Sequence, residues 1–256
     1  MEKEGVMIRE NAFVKYLKDK NIFIDEFLES NIKAENVDDD RLKKQLYIIN
    51  DFHKRTMGYK DIRDRLDSGI GKIVEEYKVY IKKVDRDLKR IKLEGASNAF
   101  ENKFLELGEE YIEKGELAIK NIYINDYYSL IARSMKNKEV ILDKVDFKHL
   151  TKEGQSIKIK AINKCKYNLV EIDCFYLLSR YKKREANLDY YMLIDRFCSI
   201  ENLGENSYQL IVSLLSFPYE FIKTIINYKY DRKNLSNYEY LIMLKKSIEK
   251  KNLISI

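Results

Sequence analysis

The residues able to do chemistry are few, and most of them fall in one stretch. The 256-residue chain has two histidines, His53 and His149, and three cysteines, Cys165, Cys174 and Cys198. Between Val140 and Asp173 stand Asp146, His149, Thr151, Asn163 and Cys165. Asp146 lies three residues before His149, a spacing that suits a carboxylate holding a turn beside an imidazole rather than acid–base work. Two histidines support no Ser/His/Asp or Cys/His constellation. The cysteines form no CxxC pair, and a structural zinc site draws four Cys/His ligands at close spacing, so no metal site is expected. The cysteines sit beside apolar residues and read as buried thiols. His53 lies on a helical apolar stripe ahead of Gly58 and reads as packed and hydrogen-bonded. Gly69-Ile-Gly71 resembles the opening of a phosphate loop. Val74 stands where a third glycine belongs and no strand precedes it, so the segment reads as a helix-start turn.

The elements that must position these residues are mostly helices. Val140–Asp173 is the one segment whose apolar period is two, notably at Ile157, Ile159 and Ala161, and it reads as strand and turn. One proline and nine glycines point to long helices and short turns. Apolar residues make up 45% and charged residues 35%, a globular balance. Twenty tyrosines with no tryptophan imply many half-buried rings whose hydroxyls need partners. The formal charge is +6, from 48 basic against 42 acidic residues spread along the chain, which reads as solvated helix faces. The odd cysteine count fits synthesis in a reducing compartment. No h-region opens the chain and no run of about 18 apolar residues occurs, so neither a signal peptide nor a membrane span is expected.

Residues 1–35 suggest a short helix, a strand-like piece and a second short helix. Asp38-Asp-Asp40 offers carboxylates to a helix start, and Leu42, Leu46, Ile49 and His53 continue that helix to a stop at Gly58. Ser68 is the expected cap of a long helix whose stripe runs through Val74, Tyr77, Ile81, Val84, Leu88 and Ile91. Asn98 with Glu101 is a capping pair for the next helix, and Asp126 caps another. After the central stretch, helices are expected over 170–184, after Asn187 and over 208–215. A further one opens at Pro218, and a last follows the Ser236/Glu239 capping box.

Three segments together resemble a family. Leu46-Tyr-Ile-Ile-Asn-Asp-Phe-His53-Lys-Arg-Thr-Met-Gly58-Tyr59 is similar to a helix end of the CotS-type spore coat proteins. Ile162-Asn163 through Tyr167-Asn-Leu-Val-Glu-Ile-Asp173 to Arg180 is similar to a second stretch of that family. Leu214-Leu-Ser-Phe217-Pro218-Tyr-Glu-Phe221 with Tyr228 and Tyr230 is similar to a third. These coat proteins resemble aminoglycoside and choline phosphotransferases. The resemblance therefore implies a mainly α (α+β) chain: the helical C-terminal lobe of a protein-kinase-like fold with a small residual β element. Residues 1–40 would be a truncated N-terminal segment and 41–256 the helical lobe.

The resemblance also implies where phosphate chemistry would sit. In the active enzymes the loop is similar to HGDxxxxN, followed by a metal-binding aspartate after the next strand. Here Lys144 and Val145 take the His-Gly places, Asp146 the aspartate's, Thr151 the asparagine's and Asn163 that of the metal-binding aspartate. A neutral amide lacks the anionic oxygen that Mg²⁺ prefers, and no glycine-rich loop precedes Leu42. Asp146, Thr151 and Asn163 are thus expected as vestigial positions, with no catalytic residue, cofactor or metal, and no enzyme activity. The expected function is a non-catalytic structural component of the spore coat, made in the mother cell, whose partners are other coat proteins. Nucleic acid, membrane and small-molecule partners are not expected. Two alternatives are an active small-molecule phosphotransferase using Asp146 with Asp143 or Asp173, and a basic module binding nucleic acid or protein through the Lys82–Lys92 face.

Overall fold

The structure is a computed structural model that describes residues 11–29, 37–249 and 254. Ten helices and five short strands follow one another in chain order among these residues. They begin with α1 (Ala12–Asp19), β1 (Ile22–Ile24), α2 (Asp39–Thr56), α3 (Lys72–Glu94), α4 (Ala99–Ile124) and α5 (Tyr127–Asn137). The strands β2 (Val140–Ile141), β3 (Leu150–Glu153), β4 (Ser156–Ile159) and β5 (Lys166–Tyr167) occupy the central stretch. The chain then continues through α6 (Glu171–Lys182), α7 (Tyr190–Glu201), α8 (Glu205–Ser216), α9 (Tyr219–Lys229) and α10 (Asn237–Glu249).

The longest packing seam joins α3 to α4. The expected stripe of α3 is buried from Val74 to Ile91. On α4, Gly108 and Gly115 face it seven residues apart. A Cβ built on Gly108 would stand 2.9 Å from Leu88 Cδ1, and one on Gly115 would stand 2.4 Å from Ile81 Cδ1. Leu88 and Ile81 are also seven apart, so the two glycines let the helices close at matched steps where any larger side chain would intrude. Stacked rings tie α9 and its approach to this pair. Tyr77 lies on Phe217 at 3.8 Å between centroids, and Tyr111 lies on Phe221 at 3.9 Å.

The β element is a three-stranded sheet ordered β1-β4-β3 and a two-stranded ribbon β2-β5. β1 runs parallel to β4 with Ile22 opposite Ile157, and β3 runs antiparallel to β4 with Leu150 opposite Ile159. Arg55 fastens this sheet to α2. Its guanidinium binds Asp51 through two 2.8 Å hydrogen bonds and donates to the carbonyl of Gln155 at 2.9 Å and that of Lys20 at 3.1 Å. Phe13, Leu17 and Ile22 are buried in the same core as the helices. Residues 1–10 and 30–36 of the segment expected to be a truncated remnant lie outside the described residues.

Several helix ends differ from expectation. Ser68 does not cap α3: the N-cap is Gly71, held at φ +81° without a side-chain cap, and Ser68 instead bridges Tyr167 beside β5. The strand pairing pulls Ser68 out of line with the helix. Glu101 turns back to Ser97 N and Oγ at 2.7 Å, leaving Asn98 to cap α4. α7 begins three residues after Asn187 and is capped by Asp189. The Ser236/Glu239 box forms as expected, with Ser236 N donating to Glu239 at 2.8 Å. No single described helix is long and apolar enough to cross a membrane. α8 and α9 pass that test only as a pair bent by 46°. Their apolar residues, Leu210, Leu214, Phe221 and Ile225 among them, lie in the core.

Candidate functional site

Asp173 is the pin of the central stretch. It lies fully buried in the first turn of α6 and accepts hydrogen bonds from the backbone N–H of Leu142 at 2.9 Å and of Asp143 at 2.8 Å. The same carboxylate meets His53 Nε2 at 3.0 Å, and His53 Nδ1 meets Glu201 at 2.6 Å. One imidazole from α2 thereby links α6, α7 and the loop after β2. Burial alone would lower the His53 pKa, but the Glu201 and Asp173 carboxylates outweigh it and hold it up at about 10. His53 is therefore charged at neutral pH. Burial would raise Glu201, and His53 overrides it to hold that carboxyl below its usual range.

The turn after β2 is strained where this pin holds it. Asp143 adopts φ +74°, a region costly for a side chain with a Cβ. Its carboxylate pairs with Lys166 of β5, whose ammonium also lies 5.7 Å from the Tyr176 ring. Three residues on, Asp146 is buried and fully engaged. It accepts from Lys148 N at 3.0 Å and Arg180 Nη1 at 2.7 Å, and pairs with His149 Nδ1 at 2.9 Å. Asp146 thus holds the turn beside His149. Gln45 of α2 supports the same loop from within, donating to the carbonyls of Val145 at 2.7 Å and Leu150 at 3.0 Å.

The other two positions singled out in the sequence go elsewhere. Thr151 is a half-buried residue of β3, paired with Lys158 across the sheet. Asn163 is exposed on the loop before β5, on the wall of a cleft of about 930 Å³. That cleft is framed by elements remote in sequence: the start of α3, the middle of α4, residues 163–168, α6 and the α8–α9 corner. Its inner wall carries the stacked rings of Tyr77 and Phe217 with Tyr111, Tyr176 and Tyr219. Burial pushes the phenols of all four tyrosines up, so they remain protonated donors at physiological pH. Basic side chains outnumber acidic ones on the lining, seven to three. Sequence periodicity marks its rings only as core positions, because the cleft exists through tertiary packing.

No protein-family model matches the chain, and no curated protein sequence does. Among solved structures, the crystal structure of an aminoglycoside phosphotransferase from Alicyclobacillus acidocaldarius superposes with a TM-score of 0.63 at 13% identity. The alignment covers 89% of this chain and 66% of that one, so the chain spans just under two thirds of the enzyme's length. The fold is phosphotransferase-like. The mainly helical, kinase-like architecture read from the sequence agrees with this likeness. The expectation that the chain is no enzyme is corrected by it, because the shared fold is an enzyme's.

The family resemblance implies an Mg²⁺ site near Asp146, Thr151 and Asn163, and the residues present do not fit that ion. Asp146 is taken by Arg180 and His149. Thr151 and Asn163 are neutral at the places where the resemblance puts metal ligands. Among the described residues, no group of three or more His, Cys, Asp or Glu side chains could hold a metal. The thiols of Cys165, Cys174 and Cys198 are free and buried, and burial raises all three.

Proposed function

We propose that this chain is a CotS-type component of the spore coat that uses its phosphotransferase-like lobe to take a small molecule into the cleft between α3, α4, α6 and α9. One observation carries the ligand half of this reading: a cleft of about 930 Å³ with an aromatic inner wall and polar groups at its rim, within the size range of small-molecule sites. The packed seams beneath it keep the walls in place, since Tyr77, Phe217 and Phe221 are each nearly fully buried.

The coat half is supported by the three family-like segments, which all fall on elements of this lobe. His53 and Asp173, in two of them, form the α2–α6 pin, and Phe217-Pro218 in the third makes the α8–α9 corner. Partners in that setting would be other coat proteins. Exposed rings such as Tyr128 and Tyr238, 70% and 71% accessible, are suitable anchors for them. The nucleic-acid alternative gains nothing from the Lys82–Lys92 face. There Lys89 pairs with Asp85 at 2.7 Å, Arg90 with Glu94 at 2.7 Å, and Lys92 with Glu109.

Two measurements test the reading separately. Coat extracts of purified spores should contain the protein; its confinement to vegetative lysates would refute the coat assignment. A thermal-shift panel of small aromatic metabolites should contain members that raise Tm by roughly 5 °C or more at a hundredfold excess over Kd. Tyr219→Ala should abolish that shift. Ligands that stabilise wild type and the variant alike would refute the cleft.

A further inference from the structure

The mouth of the cleft, where α3 begins against β5, gathers hydrogen-bond donors. We infer that it binds the oxyanion group of the ligand, a carboxylate or phosphate, while the ligand's flat apolar body lies on the more exposed Tyr176 and Tyr219 rings. This rests on the small-molecule reading of the cleft and adds the chemical class of what enters it.

Three independent features point to an anion. The first is Asn168, only 4% exposed and on the cleft lining. Its Oδ1 is occupied by the N–H of Leu169 at 3.0 Å, while its Nδ2 makes no hydrogen bond to the described residues. That amide is turned toward Gly69, whose ideal Cβ would lie 2.9 Å away, so the donor side of a buried amide opens toward the start of α3. Asn168 Nδ2 is not sealed from solvent, and a donor on the cleft lining without a protein partner is free to take an acceptor from a ligand.

The second is the helix itself. α3 is 23 residues long and no side chain caps its N-terminus; Lys72 N–H is taken by the carbonyl of Gly69 at 3.1 Å, and the positive end of the helix dipole lies at the Gly69–Ile73 part of the cleft lining. Parallel pairing fixes this arrangement, with Gly69 N donating to the carbonyl of Tyr167 at 2.8 Å and Tyr167 N to that of Asp67 at 2.9 Å.

The third is the set of cations. Four basic side chains of the lining are already matched: Arg180 to Asp146, Lys166 to Asp143, Lys114 to Glu110 and Lys183 to Glu220. Lys72, in the first turn of α3, and Lys164, on the loop before β5, have no acidic partner among the described residues. Both are exposed, and both belong to segments that flank the Asn168 amide. The acids on the lining near them are Asp67 and Glu76, and both are solvent-exposed at the rim.

The test is calorimetric titration of the full chain with four probes: 1-naphthyl phosphate, 1-naphthoate, uncharged 1-naphthalenemethanol and spermidine. The two anions should bind at least 10-fold more tightly than the alcohol, and spermidine should not compete. The ratio between the two anions tells phosphate from carboxylate. Lys72→Glu and Lys164→Glu, both surface changes, should each weaken the anions about 10-fold and leave the alcohol unchanged. Asn168→Asp, which turns the inward donor into an acceptor of the same shape, should do the same with an unaltered circular dichroism spectrum. Equal binding of alcohol and anions, with both sensitive to Tyr219→Ala, would overturn the anion site and leave the cleft standing. Binding of none of the four probes would overturn both.

Discussion

Replacing His53 by glutamine should cost several kcal/mol of stability, and the cost should depend on pH in a specific way. His53 is fully buried between Asp173 at 3.0 Å and Glu201 at 2.6 Å, so the neutral substitute leaves two carboxylates in the interior without their cation. Breaking a buried pair in this manner costs about 3–5 kcal/mol. The raised pKa of the imidazole, held up by Glu201 and Asp173 against burial, points the same way, because the folded state favours the charged form. The folded pKa is raised, so this stabilisation is complete below pH 6.5 and is lost as pH climbs toward 10. Glu201 is depressed, so its contribution is present above the ordinary carboxylate range near 4.5 and fades as pH falls through its folded value. Stability contributed by the cluster should peak between about pH 4.5 and 6.5. Thermal unfolding of wild type and His53→Gln, followed by circular dichroism from pH 5 to 10, reads the cluster as a whole because groups that do not touch it cancel in the difference. At pH 6.5 the variant should melt roughly 10 °C lower. The gap should shrink as pH rises to 9.5. A gap under 1 kcal/mol at pH 6.5, or one that stays constant to pH 9.5, would refute a charged His53.

Three further outcomes follow from the same packing. Gly115→Ala should destabilise by roughly 1 kcal/mol: overpacking against Ile81 and Phe217 outweighs the gain of about 1 kcal/mol in helix propensity. Adding Ile81→Val should recover most of that loss, and denaturant midpoints showing plain additivity would contradict the contact. Asp173→Asn should speed hydrogen exchange at the Leu142 and Asp143 amides at least 10-fold, since a neutral amide oxygen replaces a carboxylate shared by two donors. Unchanged exchange there would show that the loop is held by something else. Ser236→Ala should cost about 1 kcal/mol through loss of the α10 cap, read as a fall in Tm of 2–4 °C.

Much of the lobe was legible in the sequence because helices advertise themselves locally. The α3 stripe, the Asp38 and Asp126 caps, the Ser236/Glu239 box and the Gly58 stop depend on neighbours within about four residues. The period-two run at 157–159 announced β4 in the same way. Ser68 failed as a cap because a strand 99 residues away claims its backbone, and local spacing carries no trace of that partner. The cleft was invisible for the same reason. Nothing in the local pattern around Lys72, Asn168 or Phe217 marks a cleft. Only the closing of α3 on α4 through Gly108 and Gly115, and the corner at Pro218, bring them to one wall. His53 was read correctly as packed, but its two acid partners, 120 and 148 residues away, could not be seen from the stripe it sits on. Asp146 drew attention as an acid in a turn, and the structure gives that acid to Arg180 and His149.

Hydrogen exchange of the full chain with and without saturating 1-naphthyl phosphate addresses the central claim most directly, that this phosphotransferase-like lobe works through the cleft at the start of α3. The account predicts slower exchange at residues 69–77, 163–168 and 214–221 together, with the rest of the lobe unchanged. Slowing confined to other segments, or none at saturation, would contradict it.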